Sequence, residues 1–197
     1  MDTGDETKNG QPIRTIPDSE GWQAWLDEHH ADHPGVWLKL AKKSSPASTV
    51  SYAEALDVAL CYGWIDAQAG SYDEHYWLQR FCPRGPRSSW SKINREKVAV
   101  LTGAGRMRPA GVAAVQAAQA DGRWDAAYDP PSRTTVPPDF RERLDAHPDA
   151  AAFWAALNSA NRYAMLYRIQ TAKKPETRAR RIEQFLDMLG RGEKLHP

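Results

Sequence analysis

The chain has 197 residues, and its 26 basic and 25 acidic side chains leave a formal net charge of only +1. It contains no apolar run of about 18 residues, which excludes a membrane-spanning helix. The acidic segment at residues 2–6 has neither the basic nor the apolar region of a signal peptide, so a cytoplasmic location is expected.

Length and local pattern together predict the domain organisation. Residues 1–16 are polar and lack periodicity, which predicts a disordered tail. Because domains usually contain about 100–200 residues, residues 17–197 are expected to form a single α+β domain. It would comprise a sheet-containing part at 17–129 and a helical C-terminal part at 139–192, joined by a connector rich in proline.

The first half of the chain alternates helix and strand patterns. Asp18 precedes a helix that ends before Pro34. Residues 36–42 alternate in the period of a strand, and two more strands are predicted at 64–69 and 76–82. Between them, Ser51 and Glu54 form a capping box for a second helix. The sequence therefore predicts a small antiparallel sheet of about three strands, packed by helices.

The second half of the chain is predicted to be helical throughout. Their apolar residues recur at i, i+3, i+4 and i+7, as on one buried helix face. Pro109 and Pro175 stand where the first turns of two of these helices begin. A C-terminal helical bundle is therefore expected. Across the whole chain, the predicted core anchors are four aromatic residues: Trp22, Trp25, Phe153 and Trp154.

Two groups of residues are typical of metal or thiol chemistry. His29 and His33 lie one helical turn apart, but a zinc site needs a third and a fourth ligand, so no metal and no cofactor is expected. Cys61 lies near a helix C-terminus, where the helix dipole raises the pKa of a thiol. A nucleophilic role with His75 as base is therefore disfavoured, and Cys61 and Cys82 are expected to be reduced and mostly buried.

Basic charge is concentrated in two segments. Residues 80–108, the first basic segment, hold eight basic side chains and one acidic side chain, and residues 162–181, the second basic segment, hold seven and one. Such contrast indicates a surface for anions, and the two segments are expected to converge around one cleft. The competing interpretation is that their arginines pair with internal acids such as Asp66 and Asp73. The candidate ligand-binding residues are Arg84, Arg87, Trp90, Lys92, Asn94, Arg95, Lys173, Thr177, Arg178, Arg181 and Asp66.

Several motifs stand out along the chain: Glu54-Ala55-Leu56, the run from Leu60 to Asp66, Pro83-Arg84, the run from Ser89 to Asn94, the runs 105–111 and 121–128, and Ala172 to Ile182. Taken together, they resemble the YdeI/OmpD-associated family, also called bacteriocin-protection proteins. The resemblance covers about residues 18–192. It implies protection against cationic peptides or bacteriocins, a link to a porin and a periplasmic home, and it carries over no catalytic residue.

Two classes of function follow from these observations. The leading hypothesis is a non-catalytic binding or stress-protection protein that holds an anionic small molecule or an acidic protein surface; a nucleic acid is the weaker candidate. The alternative is a small-molecule enzyme with a polar site around Asp66, Arg84, Trp90 and Asn94. A carboxyl group with a raised pKa inside a pocket would favour the enzyme.

Overall fold

A computed structural model describes residues 6–197, which form an α+β fold. Its strands are β1 (Thr7–Lys8), β2 (Gln11–Thr15), β3 (Val36–Ala41), β4 (Trp64–Ser71) and β5 (Tyr76–Pro83). Its helices are α1 (Ser19–His29), α2 (Tyr52–Cys61), α3 (Lys92–Gly103), α4 (Pro109–Ala120), α5 (Pro138–Asp145), α6 (Pro148–Ala156), α7 (Ser159–Gln170) and α8 (Pro175–Gly190).

The sheet is larger than the sequence predicts, and it is mixed. Its order is β1-β2-β3-β5-β4, with β2 parallel to β3 and the other neighbours antiparallel. The three predicted strands correspond to β3, β4 and β5. The α+β class is confirmed. The predicted sheet of about three antiparallel strands is roughly but not exactly met, because the sheet has five strands and one of its pairings is parallel.

The two additional strands come from the segment predicted as a disordered tail. Asn9 and Gly10 both adopt positive φ, at 54° and 72°, and form the two-residue turn of a hairpin between β1 and β2. β2 contains only one buried apolar residue, Ile13, so its sequence has no alternating apolar pattern that would mark it as a strand. Its pairing with β3 holds it in the sheet. Residues 1–5 lie outside the described residues, and the tail stays a prediction there.

The chain divides into two compact units. The first contains the sheet, α1, α2, α4 and most of α3, and ends at Asp125; the second consists of residues 90–93 and 126–197. A compact unit need not fold independently, so the single domain stays a prediction. Within residues 6–197, no helix combines the length and the apolar character needed to cross a membrane.

The core of the first unit lies where α1 and α2 pack near the sheet. α1 begins after Asp18, whose carboxylate accepts the Gly21 N–H at 2.8 Å, and α2 begins with the predicted capping box. Trp22 is fully buried, whereas Trp25 is half-buried at the edge of the α1 stripe, beside His29 and His33. The prediction of Trp25 as a core anchor is therefore wrong.

The core of the second unit is shared by α5, α6, α7 and α8. Phe140 is fully buried and meets the ring of Trp154 edge to face, with centroids 5.2 Å apart. The stripe predicted on α8 is buried throughout and joins the same core. Trp154 is an anchor as predicted, but Phe153 is only half-buried against this core, so the prediction for it is wrong.

Candidate functional site

In the first unit, arginines of the first basic segment stabilise loop backbone. Arg84 donates to the Ser89 carbonyl at 3.2 Å, and Arg95 donates to the Trp124 carbonyl at 2.7 Å while its guanidinium lies 5.1 Å from the Trp124 ring centre. Asn94 is buried and Arg87 is exposed. The structure thus assigns Arg84 and Arg95 structural contacts, and ligand binding by these four residues stays a prediction.

Two predicted ligand residues, Trp90 and Lys92, belong to the second unit. Lys92 forms an ion pair of 2.6 Å with Asp129, whose other carboxylate oxygen accepts from Gln170 at 2.7 Å. The hydrogen bond from Lys92 lowers the pKa of Asp129. Trp90 is buried, and its carbonyl accepts the Tyr128 N–H at 3.0 Å. Both residues therefore anchor the connector segment near Asp129.

In the second basic segment, Arg178 is held by internal contacts. Its guanidinium donates to both carboxylate oxygens of Asp139, at 2.7 and 2.8 Å, and to the Ile169 carbonyl at 3.0 Å. Arg181 donates to the Arg168 carbonyl. Carbonyl groups in the last turn of a helix lack helical partners, so both arginines complete the end of α7. The ion-pair interpretation thus holds for Arg178, with Asp139 as its partner. Lys173 is exposed and Thr177 half-buried.

The Asp139–Arg178 pair makes stability dependent on pH. Arg178 lowers the pKa of Asp139, so the pair stabilises the fold above the ordinary carboxyl pKa and is lost as pH falls through the lowered one. Because Asp139 is half-exposed, we expect Arg178→Gln to lower the unfolding free energy by only about 1 kcal/mol at pH 7. Urea titrations should show this difference narrowing below about pH 4.

Arg180→Gln is the matched control for this prediction, since Arg180 is an exposed arginine on the same helix. It should leave stability within about 0.5 kcal/mol of the unmodified chain at every pH. An Arg178→Gln effect that is equally large at pH 3 and pH 7 would show that the Ile169 contact, not the carboxylate, carries the stabilisation.

The environment of Asp66 bears on the enzyme alternative. Its carboxylate accepts a 2.8 Å hydrogen bond from the Tyr52 hydroxyl, a donor that the sequence does not predict. Six described carboxyl groups have a clearly displaced pKa, and in each the displacement is downward, so none of the six is set up as a general acid near neutral pH. They are Glu6, Glu54, Asp73, Asp129, Asp139 and Glu193.

In the described part of the chain, the cysteines and histidines show little of the geometry that thiol or metal chemistry requires. Cys61 is buried and Cys82 half-buried, both as free thiols, and burial raises the pKa of Cys61. Within residues 6–197, no cluster of three or more His, Cys, Asp or Glu is arranged to hold a metal ion. His29 and His33 instead contact the Trp25 ring, at centroid distances of 4.7 and 5.2 Å.

The second unit contains a cavity that the sequence does not predict. Its volume is about 270 Å³, and it lies where the connector, α5 and α6 meet the start of α7. Four apolar side chains and one tyrosine provide most of its wall, and two arginines and two hydroxyl residues provide the rest. The lining residues are Pro131, Thr134, Val136, Arg141, Trp154, Ser159, Arg162, Tyr163 and Leu166. We call this feature the α7 cavity.

The two arginines of the α7 cavity differ from Arg84, Arg95 and Arg178, whose guanidinium groups have internal partners. Within residues 6–197, neither Arg141 nor Arg162 has an ion pair or a side-chain hydrogen bond, and no carboxylate lines the cavity with them. A guanidinium presents donors in a planar fork that matches a carboxylate or a phosphate. The cavity lining therefore combines two arginines that have no internal partner in the described part of the chain with an apolar wall.

Tyr163 contributes a neutral surface to the cavity. Its hydroxyl donates to the Asp129 carbonyl at 3.2 Å. Burial, with the neighbouring Tyr128 and Tyr167, raises the pKa of Tyr163 to about 12, so the phenol carries no charge at physiological pH. Tyr163 thus adds neither a negative charge nor a free hydroxyl proton to the cavity.

Arg162 and Tyr163 lie inside the second basic segment, but the sequence marks neither as a ligand residue, and it does not mark Arg141 at all. For Arg162 a signal exists in the lack of an acidic residue one helical turn away, whereas Arg141 has Asp145 at i+4 and carries no such signal. That signal is weak, since most such arginines simply face water. Convergence of the two basic segments around one cleft stays a prediction.

These features define an α+β protein with a sheet-containing unit and a helical unit that holds a cavity. Residues 14–114, just over half of the chain, match the family model described as a domain of unknown function (DUF8412), and the chain belongs to that family. Residues 133–192 match the family described as bacteriocin-protection, YdeI or OmpD-associated. No curated protein and no solved structure matches the chain.

The second match confirms the family resemblance, over a shorter range than the motifs predict. They place it at about residues 18–192, whereas the match covers 133–192 and the motifs before Gly111 fall in the other family's range. Every residue that lines the α7 cavity except Pro131 lies within 133–192. The cavity is thus a feature of the segment that carries the bacteriocin-protection resemblance.

Proposed function

We propose that this protein is a non-catalytic binding protein whose helical unit holds a small anionic ligand in the α7 cavity. The observation that carries the proposal is that Arg141 and Arg162 both line one cavity and that neither has an internal acid as its partner among the described residues. Elsewhere in the second unit, Arg143, Arg178 and Arg191 each have a carboxylate partner, whereas Arg168 and Arg180 have none within residues 6–197 but are not among the residues that line the cavity.

Charge supports this proposal. Two positive side chains that line one cavity repel each other, and an anion between them removes that repulsion while gaining charge-assisted hydrogen bonds. Such bonds contribute roughly 1.5–3 kcal/mol each where water is partly excluded. A bound anion should therefore depend on both arginines.

The family match supports a role at a coarser level. The matched segment belongs to a family described by bacteriocin protection, and the cavity lies almost entirely within that segment. We carry this description to the chain as part of the proposal: anion binding in the α7 cavity would serve a protective, stress-related role in the cytoplasm. Binding, rather than catalysis, is favoured because the cavity lining contains no carboxylate, histidine or cysteine.

The proposal is tested by anion titration of the full chain at pH 7.5, with benzoate and inorganic phosphate as probes and NMR shifts as the readout. Arg141→Gln and Arg162→Gln should each weaken binding of the preferred probe by at least about tenfold, the equivalent of about 1.4 kcal/mol. Arg180→Gln, the matched control outside the cavity, should leave binding within about twofold. Binding that survives both cavity variants would contradict the proposal.

A further inference from the structure

We infer that the ligand of the α7 cavity is a compact amphipathic monocarboxylate, with its carboxylate on Arg141 and Arg162 and its apolar body against Trp154, Leu166 and Val136. This inference rests on the proposed function, because it names the ligand class of the same cavity. It goes further by stating that the cavity recognises an apolar body as well as a charge.

The size of the cavity limits the ligand. Its volume of about 270 Å³ lies just below the ~300–1,000 Å³ of typical small-molecule sites. A water molecule occupies about 30 Å³ in the liquid, so the cavity accommodates about nine groups of that size. Benzoate, a single ring with one carboxylate, fits within this volume. Nucleotides and larger cofactors would extend well outside the cavity.

The wall of the cavity argues against a free phosphate. Trp154 and Leu166 are buried core residues that present apolar surface to the cavity, and Val136 packs beside the same core. A phosphate has acceptor oxygens on every side, and those facing apolar groups would lose their hydrogen bonds to water. A carboxylate with an apolar body has one polar end, and its body gains from burial.

Two of the remaining polar groups of the wall, those of Thr134 and Tyr163, are already bound to backbone, and the third hydroxyl, that of Ser159, is uncharged. The Thr134 hydroxyl donates to the Pro130 carbonyl at 2.8 Å, and the Tyr163 hydroxyl donates to the Asp129 carbonyl. Both protons are therefore committed to the connector backbone. Among the described lining residues, the two guanidinium groups are the only charged donors, so the charged end of a ligand belongs beside them.

Three probes of similar or smaller size separate charge from apolar recognition: benzoate, its neutral amide benzamide, and inorganic phosphate. In NMR titrations of the full chain at pH 7.5, we expect benzoate to bind at least about tenfold more tightly than benzamide or phosphate. The Trp154 indole resonance should shift with benzoate. Benzoate affinity should stay constant from pH 6 to pH 9, because a carboxylate is fully ionised there, whereas inorganic phosphate changes charge near about pH 7.

The wall itself is tested with Val136→Thr, which keeps the side-chain shape and replaces one methyl group by a hydroxyl. Benzoate affinity should fall by about threefold, as expected for one methyl-sized apolar contact. Val112→Thr is the control, because Val112 is an exposed valine on α4 outside the cavity. It should leave benzoate affinity unchanged.

The outcomes distinguish the two proposals. Phosphate that binds as tightly as benzoate, with loss in both arginine variants, would overturn this inference and leave the proposed function standing. Benzamide that binds as tightly as benzoate would overturn both proposals, since the arginines would then not distinguish a negatively charged ligand from a neutral one. Benzoate binding that is lost in Arg141→Gln and Arg162→Gln and weakened in Val136→Thr, but not in Val112→Thr, is the expected result.

Discussion

Replacing Trp22 by alanine should cost about 3–5 kcal/mol of unfolding free energy, the usual range for a fully buried tryptophan. Trp22 has no exposed surface, and its ring stacks on Trp25 at 5.2 Å and contacts Phe81 at 5.7 Å. Its indole N–H donates to the Ala55 carbonyl at 3.0 Å. The substitution therefore opens a cavity in the core and removes the side-chain donor from a buried carbonyl.

The neighbouring Trp25 provides the internal comparison for this measurement. It lies on the same helix and in the same aromatic cluster, but it is only half-buried. Trp25→Ala should therefore cost roughly 1–2 kcal/mol, because less apolar area returns to water. Urea denaturation followed by far-UV circular dichroism measures both. Equal losses in the two variants would show that the stripe on α1 does not have the buried and half-exposed sides described above.

Gly111→Ala should be among the most destabilising single substitutions in this chain, at about 3 kcal/mol, the upper end of the usual range for overpacking. Gly111 is buried in the first turn of α4, where that helix meets the end of α2. A Cβ atom there would lie 2.1 Å from the Cys61 carbonyl oxygen and 2.7 Å from its carbon. Both are backbone atoms, so relief requires the two helices to separate.

Gly103 provides the matched control, because it is also a helical glycine but an added Cβ would meet no atom within 4 Å. Gly103→Ala should be neutral or should stabilise the fold by about 0.4–1 kcal/mol, because alanine restricts the unfolded chain more than glycine does. Thermal melting of the two variants side by side separates a steric effect from a general effect of glycine replacement. A Gly111→Ala variant with the same melting temperature as the unmodified chain would mean that α4 does not approach α2 this closely.

The candidate site shows where prediction from the sequence fails. An arginine pattern states how many positive charges a segment holds, but not which of them find an acid. Arg178 looks like a ligand residue beside Lys173 and Thr177, yet Asp139, about forty residues earlier in the chain, pairs with it. Arg141 and Arg162, which carry no motif, are the two whose guanidinium groups line a cavity without an acid.

The local features of the fold were determined by the sequence alone. The capping box at Ser51, the acidic start of α1 and the periodic stripe of α8 act within a few residues, so each one identifies its helix without tertiary information. The strands β3, β4 and β5 are equally evident, because alternating apolar and polar residues correspond to the two faces of a sheet.

Only the tertiary structure decided the rest. The β2 strand exists through pairing with β3, and the α7 cavity is formed by residues up to 35 positions apart, Pro131 and Leu166 among them. Pairing partners and cavity walls depend on long-range contacts, and a local pattern carries no record of which distant residues will supply them.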